Sequence, residues 1–100
     1  IYVLDITGRL LCLEKSNGNL LWAVQLRLIK NNEEIIWYGP LLSSHKIILA
    51  SSQGTLLSLS PYTGRIISSI NFNESFAMSP MQVGEKIFLI SKEGSVFIFE

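Results

Sequence analysis

Residues 40–72 read PLLSSHKIILASSQGTLLSLSPYTGRIISSINF. Pro40 leads a short apolar run. After it come KIILA, a Ser51-Ser52-Gln53-Gly54 turn, TLLSLS, a Tyr62-Thr63-Gly64 turn and RIISSINF. Short runs rich in β-branched and aliphatic residues, bounded by Gly, Ser and Asn, are strand signals. The stretch therefore reads as four short strands in up-and-down order.

The rest of the chain repeats this unit. Gly8, Gly54 and Gly94 align within DITGRLLCLE, SSQGTLLSLS and SKEGSVFIFE, preceded by IYVL, IILA and IFLI. Gly18 and Gly64 each follow the first glycine of their unit by ten residues, and Pro40 aligns with Pro80. Gly54 and Gly94 lie 40 residues apart and Gly8 and Gly54 46 apart, the six extra residues falling within RLIKNNEE at 27–34. Self-similarity at this period, with several strands per unit, is the signature of a β-propeller. KIILA and KIFLI are apolar at nearly every position, which suits a sheet covered on both faces.

The expected fold is all-β: part of a β-propeller, about two and a half four-stranded antiparallel blades of an eight-bladed ring. Residues 1–28 supply the last three strands of one blade and 29–36 an inter-blade loop. Residues 37–72 supply a complete blade and 73–100 the first three strands of the final one. The chain begins without Met inside a strand and ends inside another. The expectation is a piece of a longer protein, near its C-terminal end. If Glu100 stands near that end, the missing fourth strand should come from the beginning of the protein.

Composition narrows function more by exclusion than by assignment. Apolar residues make up 48% of the chain, and eight basic residues balance eight acidic ones. There is no basic cluster of the kind that releases counterions from nucleic acid or an anionic membrane. No apolar run approaches the length of a membrane-spanning helix. The single cysteine, Cys12, lies mid-strand and reads as a buried, inert thiol. His45, the single histidine, falls in a turn with no second ligand near it, so no metal site is expected. The carboxylates Asp5, Glu33, Glu34, Glu74, Glu85 and Glu93 sit in turns and read as solvated. No nucleophile–base set, phosphate loop or paired-cysteine site is present. The expectation is a non-enzymatic protein without cofactor.

Candidate binding residues lie at the individual features of the repeat. Loops on a rigid scaffold are where recognition tends to reside. That points to Asn31, Asn32 and Glu33 in the insertion. Trp37 and Tyr38 enter the first strand of the complete blade, where innermost strands line the central channel. Trp22 reads as a cap on the outer strand of its blade, its counterpart in the next unit being Ser68.

IYVLDITGRLLCLEKSNGNLLW, residues 1–22, resembles the repeat of quinoprotein-type propellers, the pyrroloquinoline quinone-like repeats. These carry an apolar strand, Asp-x-x-Gly, a second strand, a Gly turn and a strand ending near Trp. Residues 47–68 match with Ser68 in place of the Trp. Within that superfamily the chain is most similar to the C-terminal blades of the BamB family of outer-membrane assembly factors. That resemblance implies a scaffold, a lipoprotein facing the periplasm and held at the outer membrane through an upstream lipid anchor. Its partners would be other outer-membrane assembly proteins. Quinone-dependent dehydrogenases share such repeats but add calcium-binding acids, an aromatic floor and often a vicinal disulfide. This segment has no cysteine pair and no matching acidic cluster. A generic quinoprotein-like repeat module is the third reading.

If Gly54 occupies a hairpin position of positive φ, Gly54→Val is predicted to destabilise the protein by about 1 kcal/mol or more. Thermal or urea unfolding of the two forms checks this, and unchanged stability would overturn the turn assignment.

Overall fold

Strand formation follows the repeat closely. The computed structural model describes residues 1–99; Glu100, expected to close the last strand, lies outside the described residues. The first sheet holds β1 (Tyr2–Leu4), β2 (Arg9–Leu13) and β3 (Leu20–Gln25). A small separate hairpin follows, β4 (Ile29–Lys30) with β5 (Glu33–Glu34). The middle sheet has four strands: β6 (Trp37–Ser43), β7 (Lys46–Ser51), β8 (Thr55–Leu59) and β9 (Ile66–Asn71). The last sheet holds β10 (Met81–Val83), β11 (Lys86–Ile90) and β12 (Val96–Phe99). Every sheet is antiparallel with neighbours in chain order, and among the described residues there is no helix.

The same local devices recur in each unit. The amides of Gly8, Gly54 and Gly94 each donate to the carbonyl three residues earlier at 3.1 Å, on Asp5, Ser51 and Ser91. The side chains of those same three residues cap the turn. Asp5 Oδ1 accepts from Arg9 N at 2.9 Å, Ser51 Oγ from Thr55 N at 3.0 Å and Ser91 Oγ from Ser95 N at 3.0 Å. Short polar side chains that bond their own backbone two to four residues on are turn formers for this reason. The second turns also coincide. Gly18 N donates to Glu14 O at 2.8 Å and Gly64 N to Ser60 O at 2.9 Å, each beside a register shift, at Cys12/Leu13 and Ser58/Leu59. Gly54 sits at φ +84°, and a Cβ there would meet the carbonyl oxygens of Glu74 at 2.3 Å and Phe72 at 2.6 Å. The glycine is thus demanded both by its own backbone and by the next connector passing over it.

Side-chain alternation in the middle sheet divides the interior into two cores. Ile47, Leu49, Leu57 and Leu59 face the first sheet, where they pack with Leu10 and Leu26 and are flanked by Tyr2, Trp22 and Trp37. Ile48, Ala50 and Leu56 face the last sheet and pack with Phe76, Ile87 and Leu89. Successive strand residues point to opposite faces, so one continuous apolar strand serves both cores.

The outer sheets behave differently from the expectation for KIFLI. In β11 only Ile87 and Leu89 are buried, and Phe88 and Ile90 remain half-exposed. Val96 and Ile98 beside them are exposed, as are Val3 and Leu21 on the far face of the first sheet. KIILA and KIFLI carry the same apolar pattern, but only KIILA has described sheets packed on both sides.

Leu57 lies in the first core and is 6% exposed. Leu57→Ala is expected to lower unfolding stability by about 2–5 kcal/mol through lost burial and the cavity left behind. A chemical-denaturation midpoint within error of the parent protein would show that the two sheets do not pack there.

Candidate functional site

The six-residue insertion, expected as an open loop, folds into the β4–β5 hairpin. Asn31 and Asn32 form its two-residue turn at φ +54° and +61°. Both residues of such a turn need left-handed backbone, which asparagine tolerates better than other non-glycine residues. Ile35 N donates to Leu28 O at 2.7 Å and closes the hairpin at its base. The hairpin is then held from the middle sheet by Gln53. Its Nε2 donates to Lys30 O at 3.2 Å and Glu33 O at 3.1 Å.

At the base of the hairpin lies a groove of about 420 Å³, whose lining includes Asp5, Ile6, Leu28, Glu34, Trp37 and Tyr38. The structure thus brings Trp37 and Tyr38 to one groove with the insertion. Asn31, Asn32 and Glu33 are exposed and do not line it. Trp37 is half-buried, with Nε1 donating to Arg27 O at 2.8 Å and its ring packed against the first core. Ile6 is fully exposed at the rim, and Leu28, Ile29 and Ile36 are largely exposed.

Asp5 is the best-held carboxylate of this end of the molecule. Its Oδ1 accepts from Thr7 N, Arg9 N and the Thr7 hydroxyl at 2.9, 2.9 and 2.7 Å, and Oδ2 accepts from Arg9 Nε at 3.1 Å. These bonds favour the charged form and bring its pKa down from 3.8 to about 2. The Arg9 amide contributes most and the Thr7 hydroxyl next, against a smaller opposing cost of desolvation.

Several turn carboxylates do structural work that their sequence context hides. Asp5 organises its turn in this way. Glu74 Oε1 accepts from the hydroxyls of Ser95 and Ser91, and Glu93 Oε1 accepts from Ser75 N at 3.0 Å. These three correct the expectation of merely solvated groups: each is engaged by N–H or O–H groups of the backbone or of neighbouring side chains. Gln53 and Glu93 occupy the same repeat position, just before the aligned glycine, and each secures the connector entering its blade. That repeat position is the one signal in the sequence for the part Gln53 plays in holding the hairpin.

Trp22 also has a role beyond capping its own blade. Its Nε1 donates to Pro61 O at 3.2 Å, as does the Tyr2 hydroxyl, so both aromatics of the first sheet anchor to the middle sheet. The indole lies over Gly64, where a Cβ would come within 2.6 Å of it. Cys12 is buried. His45 is exposed in the β6–β7 turn at φ +62°. Among the described residues no three His, Cys, Asp or Glu side chains gather closely enough to hold a metal ion.

Consecutive antiparallel sheets packed face to face, with matching turns and period, define a run of β-propeller blades. The crystal structure of BamB from Moraxella catarrhalis superposes on 99% of this chain with a TM-score of 0.74 and 16% sequence identity. The computationally designed Ika4 protein superposes on 98% of it with a TM-score of 0.69 and 13% identity. The chain spans 29% of the length of that BamB and 57% of the length of Ika4. At these identities the likeness is one of fold, and the fold is that of BamB-like propeller blades. No protein-family model matches the chain, and neither does any curated protein.

Because the folded Asp5 carboxyl titrates below its unfolded value, its stabilising effect is complete above the unfolded pKa and is lost as pH falls through the folded one. Asp5→Asn should therefore be less stable than the parent near about pH 7, with the gap closing between about pH 4 and about pH 2. Unfolding measured across that range checks the sign; a gap that stays constant on acidification would contradict it.

Proposed function

We propose that this chain is part of a protein-binding scaffold, a propeller subunit of the machinery that assembles β-barrel proteins in the outer membrane. The observation that carries the reading is the superposition on BamB over 99% of the chain. The sequence resemblance to the same family, carried by the Asp-x-x-Gly and second-glycine turns, points the same way. In this reading the protein is non-enzymatic and works in the periplasm, held at the outer membrane through a lipid anchor on an upstream segment. Its ring has eight blades, and further blades of the same protein cover the apolar outer faces of the first and last sheets. Its partners are other outer-membrane assembly proteins.

The partner-facing residues we assign are Asn31, Asn32 and Glu33 on the hairpin and Trp37 and Tyr38 in the groove at its base. Rigid strands present this end, and the hairpin is fastened by Gln53, so a partner would meet a preformed surface with little ordering cost. The half-exposed aromatics and the exposed Ile6, Leu28 and Ile36 supply apolar area, and the hairpin tip supplies hydrogen-bonding groups. Interfaces built this way rely on a few aromatic anchors within a polar rim.

Affinity purification of the intact protein from solubilised outer membranes should recover outer-membrane assembly proteins. Asn32→Gly with Glu33→Lys keeps the turn and reverses the charge at the hairpin tip, and should reduce that recovery without changing thermal stability. Turnover of an alcohol or sugar dependent on added quinone and calcium would instead establish the dehydrogenase reading and exclude the scaffold.

A further inference from the structure

A second cavity, of about 230 Å³, lies on the other side of Trp37, between the end of the first sheet and strands β8 and β9. Its charged lining consists of Arg27 and Lys30, with no carboxylate. Trp37 and Leu57 form apolar wall, and Thr55 and Asn71 stand at the far side. Arg27 donates through Nε to Ile29 O at 2.9 Å. That bond orients the guanidinium, and its remaining N–H groups make no hydrogen bond among the described residues.

The repeat itself shows what chemistry belongs at this position. Thr55 and Ser95 are equivalent, each following the aligned glycine of its unit. At the boundary between the middle and last sheets, the Ser95 hydroxyl donates to the carboxylate of Glu74, a residue of the connector. At the boundary between the first and middle sheets Trp37 stands opposite Ser51 as Phe76 stands opposite Ser91, so the connector residue equivalent to Glu74 is Ile35, which is buried and lines the cavity. Ile35 brings no carboxylate, and the neighbouring Glu34 lines the groove on the other side of Trp37 and not this cavity. One boundary thus carries its own anion, and the other has a cavity with two cations and no anion. Lys30 comes from the six-residue hairpin that only this connector carries.

We propose that this cavity binds the carboxylate of a small apolar acid. The carboxylate sits between Arg27 and Lys30, where charge-assisted bonds to guanidinium and ammonium are strongest. The apolar body lies against Trp37 and Leu57. Thr55 and Asn71 are already bonded to each other through Thr55 Oγ1 and Asn71 Oδ1 at 2.8 Å, which leaves the Asn71 amide nitrogen to orient the ligand. The same chemistry is offered by a free organic acid and by the C-terminal residue of a peptide. The inference stands independently of the scaffold reading.

The test is an NMR titration of the full chain with 3-phenylpropionate, following the Trp37 indole N–H and the Thr55 amide. Saturable shifts are expected with the acid and none with 3-phenylpropanamide, which has the same body without the charge. Arg27→Gln combined with Lys30→Gln should weaken binding at least about tenfold, the effect of losing bonds to charged groups. Arg27→Lys, which keeps the charge and serves as the folding control, should bind within a few fold of the parent. The tripeptide Ala-Ala-Leu, with free and with amidated C-terminus, distinguishes the source. Tighter binding of the free tripeptide than of phenylpropionate identifies a chain terminus, and the reverse a free acid. Equal binding of acid and amide, or full affinity in the double glutamine variant, would overturn the proposal.

Discussion

Two-sided burial of β7 is the constraint from which the rest of the arrangement follows. Ile47, Leu49 and Ala50 are entirely shielded from solvent, and Ile48 nearly so. A strand in that state holds a polar side chain only where its hydrogen bonds are met, as they are at Ser51, and its backbone must be paired along both edges. Strands β6 and β8 provide the pairing, and the first and last sheets provide the two apolar covers. Loss of either cover would expose half of the strand's side chains at once. The blades are therefore stabilised mainly by their neighbours, as in repeat architectures generally.

Much of this was legible in the residues because the turns carry their own chemistry. An acceptor side chain three residues before a glycine caps its turn wherever it occurs, and Asp5, Ser51 and Ser91 do so in the same way. Strand limits and sheet order followed from those turns. What the residues could not show was how far each strand is covered. KIILA and KIFLI are nearly the same word, and their different burial is a property of what lies beside them. The hairpin inside the insertion was within reach, since two adjacent asparagines favour a tight left-handed turn. The hydrogen bonds of Glu74 were not, because its partners Ser91 and Ser95 lie far along the chain.

The candidate site was legible in the same uneven way. The insertion and the aromatic pair set one end of the molecule apart from the rest of the repeat. Neither revealed that Trp37 separates two cavities of different character. One is a groove edged by Asp5 and Glu34, and the other a pocket lined by Arg27 and Lys30. Nor could local sequence show Gln53 fastening the hairpin across the blade boundary. That long polar side chain looks like ordinary turn chemistry until its acceptors, the carbonyls of Lys30 and Glu33, are placed beside it.

The meeting of Trp22 with Gly64 makes neighbouring blades non-interchangeable. The indole fills a hollow that exists only because position 64 lacks a side chain, so each residue constrains what its opposite can become. The middle blade carries Ser68 at the corresponding place and offers no such plug. A rearranged protein in which the middle blade preceded a second copy of itself would set Ser68 over that hollow and leave a void of aromatic size. Blade order is in this sense written into the seams as matched pairs of a bulky residue and a missing one, and a shuffled ring would misfit at this joint first.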